Sequence, residues 1–434
     1  MIDLPLIAVG FGLMLGLMAL GLHIGVVMFG MGFLGAFLYL GAPGTNAMVV
    51  VFLGSMNDSV LLQLPLFILL GEILVRCGAT GRMYRSLADW LNPIPGGLLH
   101  TNIAASAMFA TVSGSALATA ATVSKVSLPT FRERNYDARY VLGSIAAGGS
   151  LGNLIPPGIA FILFGVLTNT SIARLYAAGV VPGLALAVAF SLTIVALTLW
   201  RPSIAPKETG RAPLSQRLAR LKDLVPSCII FATVMGSIYS GWATSTEAAA
   251  LAVVVAMAIA AGHGKLSIPM LHEAFVSTVS LTGLMMLILS GAFALNFVLG
   301  LLGVTAAITQ FVSGLDVTPV QFLYILLVFY LIMGMFFETL PMLVGTLPLI
   351  FPAVLALGVD PVWFGVFMVM MCEIALISPP VGMVLYVIQA VRGEGSIGDV
   401  FRGVIPFLVT LLAMTALLIH QHKIALWLPD RIFQ

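Results

Sequence analysis

Two pairs of short stretches place hydroxyls, amides, glycines and prolines where the chain is otherwise apolar. ATVSGSALATAATV (110–123) precedes GGSLGNLIPPGIAF (148–161), and MFFETLPML (335–343) precedes EIALISPPVG (373–382). Proline lacks a backbone donor and glycine adds chain freedom, so each pattern interrupts a helix. Carbonyls and N–H groups released from a helix coordinate a cation or hold an anion. Gly152 and Asn153 stand just before the first double proline, Pro156-Pro157; Ile377 and Ser378 stand just before the second, Pro379-Pro380. Ser113, Gly114 and Ser115 are the matching polar turn upstream of the first, and Glu338, Thr339 and Pro341 upstream of the second. Ser113-Gly-Ser115 also suggests a nucleophile. No histidine has a motif context that makes it a base, and H-E-x-x-H is absent, so an intramembrane hydrolase lacks support.

The elements that hold these residues are membrane spans. Of 434 residues, 60% are hydrophobic and 8% charged, against about a quarter charged in a soluble domain. Such a surface faces lipid. The net charge of +2 and the lack of a basic cluster interleaved with aromatics point to no nucleic acid. Cys77, Cys228 and Cys372 lack metal or redox spacing and read as small apolar fillers. The first apolar segment has no basic residues before it and reads as a retained span.

Spans are expected near 4–21, 23–41, 59–77, 174–200, 224–241, 245–262, 274–299 and 403–421, with broken spans at 137–170 and 361–391. The stretches 98–129 and 318–357 each hold two helices around a turn and read as re-entrant hairpins. The implied organisation is scaffold helices over 1–58, a first repeat over 59–200, a charged linker over 201–223, scaffold helices over 224–273, a second repeat over 274–421 and a tail over 422–434. Basic residues mark the cytoplasmic side. Arg76, Arg82 and Arg85, then Arg132, Arg134 and Arg139, then the linker's Arg201, Lys207, Arg211, Arg217, Arg220 and Lys222 all fall there, whereas 266–391 has no Lys or Arg. Counting spans then puts both termini in the periplasm, and the two hairpins enter from opposite faces.

The halves are related. Pro156 and Pro157 match Pro379 and Pro380 at an offset of 223, and Pro129 matches Pro352 at the same offset. Weak similarity between halves of opposite topology is a signature of secondary transporters, whose discontinuous helices bind substrate and ions. Irregular backbone survives at membrane depth only against protein, cavity or ligand. Each break is expected to meet the tip of its own hairpin. Glu338 either adds charge to a cation site, takes up a proton or caps the returning helix; Glu373 lies inside the membrane, paired or protonated. Thr244-x-x-Glu247 reads as a capping box, and 80–97 as an interfacial amphipathic arm with its mirror near 303–315.

In addition to the stretches above, LPLFILLGEIL (64–74), GWATSTEAAAL (241–251), MFFETLPMLVGTLPLIFP (335–352) and EIALISPPVGMVLYVI (373–388) occur in order. Together the motifs resemble the large membrane subunit of the tripartite ATP-independent periplasmic (TRAP) transporters over nearly the whole chain. The resemblance implies an all-α elevator-type protein of the bacterial inner membrane, driven by two or more sodium ions. It also implies a carboxylate-bearing solute (a dicarboxylate, keto acid or sugar acid), a periplasmic substrate-binding protein and a small four-helix membrane subunit. One sodium is then expected at Ser113, Gly114, Ser115, Gly152 and Asn153. The other is expected at Glu338, Thr339, Thr346, Ile377 and Ser378. Substrate is expected between the tips, at Ser113, Gly114, Ser115, Asn153, Thr339, Pro341 and Ser378.

The chain departs from the family pattern at three places. Gly158 stands where Ser is usual, Gly382-Met383-Val384 where Gly-x-Asn is frequent, and Thr244-Ser245-Thr246-Glu247 where T-P-T-E is usual. The alternative reading is a stand-alone sodium–dicarboxylate symporter that needs no binding protein. A channel fits tips that meet at the midplane less well than alternating access does, and a purely structural subunit leaves the symmetric breaks without a purpose.

Overall fold

The structure, a computed structural model, describes residues 4–206 and 213–433; Lys207 and Arg211 of the linker lie outside the described residues. Among the described residues every regular element is helical, and at least eight helices are long and apolar enough to cross a membrane. The all-α polytopic architecture read from composition is the one observed.

Helices α1 (Leu4–Ala19), α2 (Ile24–Gly35) and α3 (Gly41–Met56) come first, with a π-turn at Ala36–Leu40 joining the last two. Helix α3 was not among the expected spans. Pro43 sits in its first turn, where a missing N–H breaks no ladder bond, so Gly-Ala-Pro-Gly opens a helix here. Asp58 accepts from the Val60 N–H at 2.8 Å and starts the short turn into α4 (Gln63–Arg76). The arm α5 (Ala79–Leu91) leads to the first hairpin, α6 (Leu98–Ser113) and α7 (Ala116–Arg132). The broken helix α8 (Ala138–Leu154) and α9 (Ile159–Thr168) follows, then α10 (Ile172–Trp200).

After the linker and its short α11 (Leu214–Arg220) come α12 (Val225–Tyr239), α13 (Ser245–Gly262), α14 (Ile268–Leu301) and a second arm, α15 (Val304–Gly314). The element order of the first half then recurs. A hairpin of α16 (Pro319–Gly334) and α17 (Thr339–Ala356) precedes a broken helix of α18 (Pro361–Ile377) and α19 (Met383–Arg392), and α20 (Ile397–His420) follows. Asp137 caps α8 by accepting from Arg139 N–H at 3.0 Å, and Asp360 caps α18 by accepting from Trp363 N–H at 2.9 Å. These caps stand 223 residues apart, the spacing of the double prolines. The expected tail is itself helical: α21 (Lys423–Ile432) buries Ala425 and Pro429, four residues apart, and lies along α10. Thr244 and Glu247 form the capping box of α13.

Two sets of helices pack internally. Helices α2, α3, α4, α12, α13 and α14 form one; the hairpins, the broken helices, α10 and α20 form the other. Helix α8 is central to the second set, with every residue from Val141 to Leu154 buried. Its Gly148, Gly149 and Gly152 face Ser106, Ala120 and Ala116 of the hairpin. Such small-residue contacts let helices pack closely where lipid removes the hydrophobic drive. The arms span the two sets. Met83 and Tyr84 of α5 pack on Ala105, Phe109 and Val123, while α15 lies along α17. A polar chain continues inward from α5: Tyr84 Oη donates to Asn102 Oδ1 and Asn102 Nδ2 to Ser144 Oγ, each at 2.8 Å. At one end of the molecule Arg132 meets Glu394 at 2.8 Å and Arg139 meets Asp399 at 3.5 Å. The basic residues after the first hairpin therefore share a face with the end of α19.

Candidate functional site

The first hairpin turns at Gly114, whose φ of 57° lies in the left-handed region that favours glycine. Ser115 is extended, and its Oγ accepts from Ala118 N–H at 3.4 Å to cap α7. Ser113 Oγ lies 3.0 Å from Thr119 Oγ1, which donates to the Ser115 carbonyl at 2.7 Å. The tip is fastened to the first break: Ile159 N–H donates to the Gly114 carbonyl at 3.1 Å. Both double-proline bonds are cis.

Gly158 caps α9 in extended backbone, and a Cβ added there would collide with the Asn153 carbonyl. The serine that the family pattern places here has no room in this conformation. At this break the Gly158 backbone closes on the Asn153 carbonyl.

At the second tip Glu338 occupies the cap position of α17, yet its carboxylate makes no capping bond and lines the cavity described below. Of the roles read for it, capping is excluded. Thr339 Oγ1 donates to the Cys372 carbonyl at 3.5 Å and ties this tip to α18. Thr346 lies further along α17, buried, donating to Met342 O at 2.6 Å and paired with Tyr330 Oη at 2.7 Å. Its hydroxyl serves the hairpin and is absent from the cavity wall. Ser378 is wholly buried, and its Oγ has no hydrogen-bond partner.

The tips converge. A cavity of about 760 Å³ takes Ser113 and Ser115 from the first, Glu338 and Pro341 from the second, and Ile159 from the first break. A smaller hollow of about 70 Å³ shares Ser115 and Glu338 and adds Asn153, Thr339 and Leu376. Six expected site residues (Ser113, Ser115, Asn153, Glu338, Thr339 and Pro341) thus line two adjoining spaces that share Ser115 and Glu338. Gly114 and Gly152 stand behind them: Gly114 is bonded to Ile159, and Gly152 is packed on Ala116. Ile377 and Ser378 belong to the buried second break rather than to the wall.

The opposite wall belongs to the first helix set, through His23, Ile68, Gly71, Glu72, Leu284 and Met285. Glu72 and His23 were not read as site residues. Glu72 is paired with Arg76, which also donates to Ser277 Oγ at 2.9 Å and so joins α4 to α14. The only signal for Glu72 was a lone carboxylate in the apolar stretch LPLFILLGEIL. His23 Nδ1 accepts from Gly25 N–H at 3.3 Å and caps α2. Among the described residues no three His, Cys, Asp or Glu converge.

Known proteins are similar to this chain in sequence and in fold. The sequence signature described as "Tripartite ATP-independent periplasmic transporter, DctM component" matches residues 11–424. The chain is 30% identical to the sialic acid TRAP transporter large permease protein SiaM of Vibrio cholerae over 398 residues, which covers 91% of this chain and 92% of that one. It is 32% identical to the C4-dicarboxylate TRAP transporter large permease protein DctM of Pseudomonas aeruginosa over 375 residues, covering 85% and 86%. Its fold is similar to that of the Alcanivorax borkumensis YdaH transporter, with a TM-score of 0.63 at 17% identity over 88% of this chain and 89% of that one. With permeases as its relatives and a transporter as its structural neighbour, the serine pair at the first tip belongs to a transport protein rather than a hydrolase. The chain belongs to the DctM component family of the tripartite ATP-independent periplasmic transporters.

Proposed function

We propose that this protein drives sodium-coupled uptake of a small carboxylate-bearing solute across the bacterial inner membrane, by moving the hairpins and broken helices as one body against α2–α4 and α12–α14. The observation that carries this reading is the shared cavity. Both hairpin tips and the first helix break line one side of it, and a separately packed set of helices lines the other. A transported solute contacts both tips at once. If either hairpin opened alone, the bonds from Ile159 to Gly114 or from Thr339 to Cys372 would break in every cycle. Moving the tips with their broken helices leaves those bonds intact, and the arms α5 and α15 take up the displacement.

Sodium suits the donors present. Hydroxyls, an amide, freed carbonyls and one carboxylate are hard oxygen ligands, and the set lacks the soft or imidazole clusters that select transition metals. In this reading one ion lies between Ser113–Ser115 and Gly152–Asn153, and the second between Glu338–Thr339 and Ile377–Ser378. The solute sits between the tips, where the ions offset the charge of Glu338 and attract a carboxylate. Sialic acid and C4-dicarboxylates, after which two relatives are named, both carry that group.

Membership of a tripartite family favours delivery by a periplasmic binding protein, with a small membrane subunit beside α2 and α3, over a stand-alone symporter. Those helices and the π-turn between them expose Phe33, Phe37, Leu38, Val50 and Leu53. The deciding experiment is uptake by proteoliposomes of a C4-dicarboxylate or sialic acid, with and without the cognate binding protein, under an imposed sodium gradient. Uptake that needs both supports the reading. Undiminished uptake without sodium, on a proton gradient alone, overturns it.

A further inference from the structure

All but the first two residues of α21 lie beyond the family signature, which ends at residue 424. The helix is seated on the second helix set. Ala425 and Pro429 are buried where it lies along α10, and Asp430 pairs at 3.7 Å with Arg174 in the first turn of α10. Just before it, the His422 ring stands edge-on to Trp363 of α18, with ring centres 4.7 Å apart. Its far end reaches the other set. The Phe433 ring stands edge-on to Tyr239, the last residue of α12, with ring centres 6.2 Å apart. The Tyr239 hydroxyl is buried without a hydrogen-bond partner among the described residues, so the two residues are joined through their rings.

Arg174 lies where α10 begins and Tyr239 where α12 ends, so the positive-inside count puts this contact at the periplasmic face. The large cavity stands toward the opposite face. Its frame wall takes Leu22 and His23 from the turn between α1 and α2, and Glu72 and Val75 from beside Arg76 at the end of α4. By the same count those ends are cytoplasmic. The site is thus open inward, while α21 joins the two helix sets on the outer side.

A body that moves past the frame carries α21 with it, because the buried face and the ion pair of the helix belong to that body. The contact that must part is Phe433 with Tyr239. We propose that α21 is a periplasmic strap: Phe433 on Tyr239 holds the transporter in its inward-open state and lets go each time the site turns outward. This rests on the moving-body reading above. An edge-to-face aromatic pair shifts an equilibrium by about two- to tenfold beyond the area it buries, enough to bias the two states without locking either.

The test reads which face the site opens to. Leu340, at the second hairpin tip, lines the cavity. Leu340→Cys is made in the transporter with its partner membrane subunit, in a background without Cys77, Cys228 and Cys372. Labelling by an impermeant maleimide is timed in spheroplasts, which present the periplasmic face, and in inverted vesicles, which present the cytoplasmic face. In this parent, labelling is fast from the cytoplasm and slow from the periplasm. Phe433→Ala is expected to speed periplasmic labelling about fivefold and to leave cytoplasmic labelling no faster. Tyr239→Leu should do the same, and the two together no more than either alone. Tyr239→Phe, which keeps the ring, should match the parent. Unchanged periplasmic labelling in Phe433→Ala or in Tyr239→Leu overturns the proposal, and so does faster labelling from both faces, which reports a loosened fold. Should Phe433→Ala fail to assemble, Tyr239→Leu decides alone. A parent that takes up solute while Leu340→Cys stays closed to the periplasm brings down the moving-body reading itself, and this proposal with it.

Discussion

The Ile159 N–H reaches across the first helix break to the carbonyl of Gly114, 3.1 Å away at the hairpin tip. One bond thus joins the start of α9 to the turn between α6 and α7. A side chain at 114 would run into the Pro157 carbonyl and force an L-residue into a left-handed backbone at about 1–2 kcal/mol. Gly114→Ala should therefore part the tip from the break. Sodium-dependent uptake is expected to fall at least about tenfold, with assembly unchanged by size-exclusion chromatography. Uptake near the wild-type rate would show that the tip works without this seal.

Glu338 stands at the cap position of α17 without capping it. Glu338→Gln should therefore leave thermal stability within about 0.5 kcal/mol, as for a substitution that removes no structural bond. The sodium concentration for half-maximal uptake should rise severalfold. A loss of stability with unchanged sodium dependence would assign the carboxylate a structural role.

Tyr84 bonds Asn102 in the interior of the hairpin, and Asn102 is wholly buried. Tyr84→Phe leaves Asn102 Oδ1 without its donor, at about 1–3 kcal/mol. The unfolding midpoint should drop, and uptake should slow while its sodium dependence stays put, because the arm is remote from the tips. A changed sodium dependence would contradict the assignment of α5 as an arm.

Much of this was legible because chemistry and local geometry coincide. Pro129 and Pro352 stand 223 residues apart, as do Pro156 and Pro379, so the pairing of a hairpin with a broken helix in each half could be read directly; the caps at Asp137 and Asp360 keep the same spacing but were not read. Helix α3 was not legible, because Gly41, Pro43 and Gly44 are turn residues unless the proline falls in a first turn. Thr346 was named only through the resemblance, and its pairing with Tyr330 from the facing helix could not be read because it depends on tertiary packing. Glu72 was missed for the converse reason. A single acid in an apolar span becomes a cavity wall only when α4 is laid against the tips.

Topology is open to labelling. The positive-inside count puts Glu133 and Ser313, both exposed, on opposite faces. Glu133→Cys and Ser313→Cys, each in a background without Cys77, Cys228 and Cys372, should react with an impermeant maleimide from the cytoplasm and the periplasm respectively. Reaction of both from one side would refute opposite entry of the hairpins.

The central claim is that the tips travel past α4 while the ions stay bound. A Cβ at Gly71 of α4 would lie 3.6 Å from Ser113 Cβ, within the spacing that a disulfide bridges. The most direct measurement is transport by the Gly71→Cys/Ser113→Cys variant in proteoliposomes, oxidised and then reduced, with the sodium-dependent shift in unfolding recorded in both states. The account predicts that oxidation stops uptake, that dithiothreitol restores it, and that the oxidised protein keeps the same sodium response as its own reduced form, in which the Ser113 hydroxyl is already lost. Uptake by the fully crosslinked protein at the rate of its reduced form would contradict it.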